Sequence, residues 1–342
     1  MADDRVVIVH RTDVHIADRP PVSRKDDYAS AILHKLALVG DIARKVGADA
    51  VIDTGDFFHI QAPNRTSHSL VQRVMEVHET RYTCPVYSVV GNHDLSGANL
   101  DSLGRQPIGT LFRSRTFRQL GEVVLGGDGR PRVRIVGVPY STKPTLESLT
   151  VERGDEDVLV EACHIYSAPG GNVPFRDLGD EPVFAWEDLA TLPADVWLGG
   201  HYHKDQGVAL VGGKHFVFPG SLSRGVFSWD EMDRLPRVAI VTFDYEPEDF
   251  SGPGPFLGPP RVRTKAVLVR LAGLPVAEEI YDVRARTVDR DVSERISGFV
   301  ASLTGATSKA DPLQEILGRS DASPEVRERA ADYLRQAMGE GR

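Results

Sequence analysis

Five short apolar runs rich in valine and isoleucine each give way, within a few residues, to aspartate, asparagine or histidine. RVVIVH (5–10) leads into TDVH, with Asp13 and His15, and Ala50 to Asp53 leads into TGD, with Asp56. Val86 to Val90 leads into GNHD, with Asn92 and His93; DVLVEACHIY (157–166) carries His164; DVWLGG (195–200) leads into GHYH, with His201 and His203. Runs of this length and composition read as strands. Polar residues just past strand ends sit where loops of an open α/β sheet build sites.

The intervening segments have helical period. Residues 28–47 place Ile32, Leu36, Val39, Ala43 and Val46 on one stripe and stop at Gly47, and residues 66–80 do the same with Leu70, Val71, Val74 and Val77. Residues 5–90 therefore read as βαβαβ, and the fold class as α/β. Beyond residue 120 strands dominate, at 133–140, 157–166, 195–200, 207–220 and 237–245, which implies a second sheet. The run EPEDFSGPGPFLGPP (246–260) holds five prolines and three glycines, which favours an extended connector. The expected organisation is thus a catalytic domain over 1–245, the connector 246–260, and an appendage over 261–342. That appendage comprises a strand at 263–271 and short helices over 291–338.

Composition excludes several classes. Only Cys84 and Cys163 occur, both in apolar runs, so neither a disulfide framework nor a thiolate zinc cluster is expected. The amino-terminal residues show no basic segment leading into an apolar one, and no run approaches the ~18 apolar residues of a membrane span; a soluble, cytoplasmic protein is expected. The net charge of −9 counts against strong unaided DNA binding, unless divalent cations or a basic partner offset it.

Two residues separated by one in extended backbone face the same way, so Asp13 with His15, and His201 with His203, can each address a common point. Carboxylates, an amide oxygen and imidazoles without thiolate suit manganese, iron or zinc in a catalytic site. The set is too large for one tetrahedral ion. Two ions about 3.5–4 Å apart, bridged by a carboxylate, would use it and clamp both oxygens of a phosphoester displacement; Asp56 is the natural bridge. Taken singly, DxH and GD are common in turns. It is their order, each at a strand end, that makes coincidence a poor account.

The order DxH, GD, GNHD, H, GHxH over about residues 5–245 resembles the calcineurin-like metallophosphoesterases. The segments GDFFHIQAPN (55–64), CPVYSVVGNHD (84–94), GGHYHKDQG (199–207) and FPGSLSRGVF (218–227) are most similar to SbcD-type DNA repair nucleases. The resemblance implies two packed mixed β-sheets flanked by helices, with a small C-terminal α+β or helical appendage. It implies that Asp13, His15 and His203 hold one metal and Asn92, His164 and His201 the other, with Asp56 bridging. His93 would not be a ligand but would stabilise charge or protonate the leaving oxygen, while a metal-bridging hydroxide attacks phosphorus. The implied function is a manganese-dependent DNA exonuclease or endonuclease with an SbcC-type ATPase partner, residues 261–342 forming a reduced cap, a docking segment or both. A homodimer through catalytic-domain helices is a further expectation. Against this stands a stand-alone phosphodiesterase or phosphatase acting on a small nucleotide or phosphoprotein. A non-catalytic scaffold is disfavoured because all eight motif residues are present. Outside the motifs, Asp94 and Asp53 read as residues that orient a ligand or form a turn rather than as ligands, Arg224 as a phosphate contact or a structural ion pair, and the remaining histidines as surface or packing residues, with His59 and His10 the candidates for lining the cleft.

Overall fold

The computed structural model describes residues 4–21, 23–59, 66–171, 181–225, 234–246 and 261–282. The β-branched runs form the strands they predict: β1 (Val6–Arg11), β2 (Ala50–Asp53), β3 (Val86–Ser88), β7 (Val158–Ile165) and β10 (Val196–His201) are buried along their whole lengths. Helix α1 (Tyr28–Val46) begins at Asp27, whose carboxylate accepts from the Ser30 N–H, and ends at Gly47 in the left-handed conformation. Helix α2 (His68–Arg81) begins at Ser67, whose hydroxyl accepts from Leu70 N–H. Both bury the stripe read from the sequence, except that Val46 and Val77 at its ends are only half-buried.

Two six-stranded mixed sheets result. In the first, β1, β2, β3 and the short β4 (Arg118–Gln119) run parallel, and β13 (Arg237–Tyr245) and β14 (Val262–Arg270) extend it antiparallel beyond β1. In the second, β6 (Arg130–Val138), β7, β10 and β12 (Lys214–Phe218) run parallel, edged by antiparallel β5 (Glu122–Gly127) and β11 (Gly207–Val211). The sheets pack through Val6, Ile8, Ala50 and Ile52 on one side and Ile135, Val160, Val196 and Leu198 on the other. Helices α1 and α2 cover the outer face of the first sheet. Trp186 and Leu189 cover the second, over Leu159, Trp197 and Phe216, next to a short parallel pair of strands, β8 (Ser167–Ala168) and β9 (Phe184–Ala185).

The run 207–220 is a hairpin rather than one strand, turned at Gly212 and Gly213 with φ of 54° and 79°. Two successive positive φ angles match the twist of the flanking strands, and glycine adopts them without steric cost. The strand expected at 263–271, at the head of an appendage, is instead β14, paired with β13 over nine positions as the edge of the first sheet. Prolines and glycines favour a linker, but they say nothing about whether the chain turns back onto the sheet it has left. The chain divides into compact units Met1–Tyr281 and Asp282–Arg342. Residues 247–260 of the connector and the helices expected over 291–338 lie outside the described residues.

Candidate metal centre

The parallel strands β1, β2 and β3 of one sheet and β7 and β10 of the other bring their carboxyl ends together, and the five motifs meet there. Asp13, His15, Asp56 and His203 form one cluster, and Asp56, His164 and His201 a second. Asp56 belongs to both: its Oδ2 lies 3.5 Å from His15 Nε2 and its Oδ1 3.4 Å from His164 Nε2. In the first cluster the Nε2 atoms of His15 and His203 are 2.9 Å apart, and Asp13 Oδ1 is 3.5 Å from the latter. In the second, Asn92 Oδ1 lies 3.1 Å from His164 Nε2. His93 stands beside them, its ring 4.8 Å from that of His15. All eight sequence-predicted residues therefore converge.

Local backbone makes this convergence feasible. The pairs do not meet through the extended backbone their spacing suggests: Asp13, His15, Asp56 and His201 all have positive φ, between 46° and 88°, a region costly for non-glycine residues, so sharp local turns rather than strand alternation aim these side chains. Their peptide groups are tied down: His15 N–H donates to Asp56 O at 2.9 Å, Asp13 N–H to Gly55 O at 3.1 Å, and His201 N–H to the Asp13 carboxylate. Gly91 allows the asparagine loop to approach Asp56, because a Cβ there would lie 2.2 Å from Asp56 Oδ1. Asp94, expected to orient a ligand or form a turn, accepts from the N–H groups of Phe57, Phe58 and Gly91, so it clamps the Asp56 and Asn92 loops together. Burial and the nearby Asp56 charge push its carboxyl up to about 7.

The donor set fits divalent cations. His164 Nδ1 donates to Thr54 O at 2.7 Å, which leaves Nε2 facing the oxygens of Asn92 and Asp56. Metal-binding histidines are held in this way, one nitrogen fixed by a carbonyl and the other turned to the ion. Without a cation, burial pushes the His164 imidazole down but the Asp56 and Asp13 charges outweigh it, raising it to about 9. A proton thus takes the place of positive charge. Burial likewise works against Asp56 as an anion, yet His164, His15 and His93 hold it well below the ordinary carboxylate range. Four imidazoles and two carboxylates gathered in one buried cleft are the electrostatic complement of metal ions.

Several neighbours of the cluster carry no motif. His59 lines the cleft, its ring stacked 5.6 Å from His93, whose Nδ1 donates to the His59 carbonyl at 2.8 Å. Its place just after GDFF was the available signal. His10 does not line the cleft; it is buried against Thr54. Of the two roles expected for the other histidines, His78 takes packing: it is buried, with Nε2 3.2 Å from Arg11, whose guanidinium also pairs with Asp53. Arg224 is buried, donates to Pro275 O and lies over the Tyr281 ring. Glu181, 2.9 Å from His201 Nε2, had no sequence signal.

A sequence model described as calcineurin-like phosphoesterase matches residues 6–205. No curated protein matches the sequence. Among solved structures, a protein assigned as a 5′-nucleotidase from Staphylococcus aureus superposes with a TM-score of 0.50 at 13% identity, covering 85% of this chain and 58% of that one. A dimetal phosphatase from Danio rerio gives a TM-score of 0.45 at 14% identity, covering 79% of this chain and 100% of its own. At such identities the likeness concerns the fold. The chain spans little more than half of the nucleotidase.

Proposed function

The chain belongs to the calcineurin-like phosphoesterase family, and we propose that it hydrolyses phosphoesters with two divalent ions, manganese first among them, held by its paired clusters. The observation that carries this reading is the shared Asp56 carboxylate, which turns one oxygen to each cluster. Asp13, His15 and His203 would hold one ion, and Asn92, His164 and His201 the other. Bound there, the ions would depress the pKa of a water to make the nucleophile and neutralise charge on the phosphoryl oxygens. The chain's own part is positioning. His93 is anchored twice, its N–H to Asp56 Oδ1 at 2.8 Å and its Nδ1 to His59 O, which leaves Nε2 to stabilise or protonate the leaving oxygen. Burial of Asp13, Asp56 and His164 keeps bulk water away from these three groups, where fixed charges act more strongly.

Two substrate classes suit this chemistry, each with its own support. DNA phosphodiesters are supported by the SbcD-like segments around the motifs, and on that reading an SbcC-type ATPase would offset the acidic surface. A small nucleotide or phosphoprotein ester is supported by the net charge of −9 and by the shared fold with a protein named as a 5′-nucleotidase. The test is manganese-dependent hydrolysis of labelled linear single- and double-stranded DNA beside a chromogenic phosphodiester and 5′-mononucleotides. DNA cleavage selects the first class. Turnover of the small esters with DNA left intact, also when a candidate ATPase is added, selects the second. Inactivity on every ester with both metals bound would refute phosphoester hydrolysis.

A further inference from the structure

Glu181 lies outside every motif, yet its carboxylate meets a candidate ligand of the second ion. Its Oε2 is 2.9 Å from His201 Nε2, and its Oε1 accepts a hydrogen bond from the Tyr140 hydroxyl. A carboxylate accepts only, so the hydrogen on this contact belongs to the imidazole: His201 carries its proton on Nε2 and presents Nδ1 as its lone pair. The ring is fixed on other sides too. The Tyr166 ring centroid lies 3.8 Å away, Tyr140 packs edge-on at 5.4 Å, and the His201 backbone N–H is tied to Asp13. His201 itself sits at φ 88°, a conformation its surroundings must hold in place.

We propose that Glu181 is a positioning residue for the second metal: it sets the tautomer and orientation of His201 so that Nδ1 receives the ion, and Tyr140 in turn fixes Glu181. The inference rests on the two-metal reading above. It assigns to this chain a carboxylate–histidine–metal relay, whose removal typically weakens metal affinity 10- to 100-fold. Because Glu181 acts through His201 alone, the effect falls on one ion of the two.

Calorimetric titration of the metal-stripped full chain with manganese tests this. Wild type takes up two equivalents. Glu181→Ala weakens one of them 10- to 100-fold and leaves the other unchanged. Glu181→Gln loses less, because its amide oxygen still accepts from Nε2, and Tyr140→Phe loses less again. The melting temperature of the metal-free protein is the same for all four. Two equivalents bound by Glu181→Ala as tightly as by wild type would overturn the assignment. So would equal weakening of both sites with a lowered metal-free melting temperature, which would make Glu181 a general structural support. Fewer than two equivalents in wild type would instead remove the two-metal reading, and this inference with it.

Discussion

Asp13, His15, Asp56 and His201 hold backbone conformations that cost a non-glycine residue roughly 1–2 kcal/mol each, and the same four residues gather imidazoles and carboxylates that repel or desolvate one another. Such strain persists only where surrounding hydrogen bonds over-determine it, and here they do, through Gly55, Asp94 and the Asp13 carboxylate. Single atoms therefore matter. Gly91→Ala would put a methyl group 2.2 Å from Asp56 Oδ1, so the loop must retreat; the expected outcome is a folded protein by circular dichroism with manganese affinity lowered at least tenfold. The ring of His93 packs on His15 but is assigned to neither ion, and its backbone N–H to Asp56 survives truncation; His93→Ala should therefore keep both ions, while kcat falls by about 10²–10⁴ as for loss of an acid or charge stabiliser. His215→Ala serves as the control for histidine loss. His78→Ala does not, because His78 braces Arg11 and through it Asp53. At this scale the eight motif residues were legible, since each lies at or just past the end of a strand that buries itself by composition alone. Glu181 was not, nor were the partners of Asp94, because contact between segments distant in the chain leaves no mark in local sequence.

Strands and helices were legible for the same reason, but their partners were not. The alternation in 262–270 marks a strand equally well on an appendage or on the first sheet, and only pairing with β13 decides. One strand residue breaks the pattern of its element. Glu161 is buried in β7, beside Trp197 on β10, and both its carboxylate oxygens lack partners among the described residues. Burial pushes its carboxyl up to about 8. Because the folded pKa lies above the unfolded one, the unfolded chain releases this proton first. Stability should therefore fall as pH rises from the ordinary glutamate range to about 8, and be fully present below it. Glu161→Gln should match wild type near pH 4.5 and exceed it by a few kcal/mol at pH 8, at about 1.4 kcal/mol per pKa unit. Denaturant titrations across pH measure this; a difference independent of pH would contradict it.

In the molecule as a whole, two sheets present their strand ends to one edge, and the ions would join them: Asp13, His15, Asp56 and Asn92 come from the first sheet, His164, His201 and His203 from the second. Ions that bind only the folded state stabilise it by mass action, about 2.7 kcal/mol per site at a hundredfold excess over Kd. Manganese should therefore raise the melting temperature by several degrees, and a chelator should reverse the rise and abolish hydrolysis together. Among the described residues no helix is long and apolar enough to cross a membrane. The expected homodimer through catalytic-domain helices remains a proposal, for which the helix α2 is the candidate face. The central claim is that Asp56 joins two metal sites, and electron paramagnetic resonance of the manganese-loaded chain tests it most directly. Wild type should show two ions per chain with a spin-coupled spectrum, and Asp56→Asn should lose the coupling along with most of the bound metal. An uncoupled spectrum in wild type, or coupling undiminished in Asp56→Asn, would contradict the account.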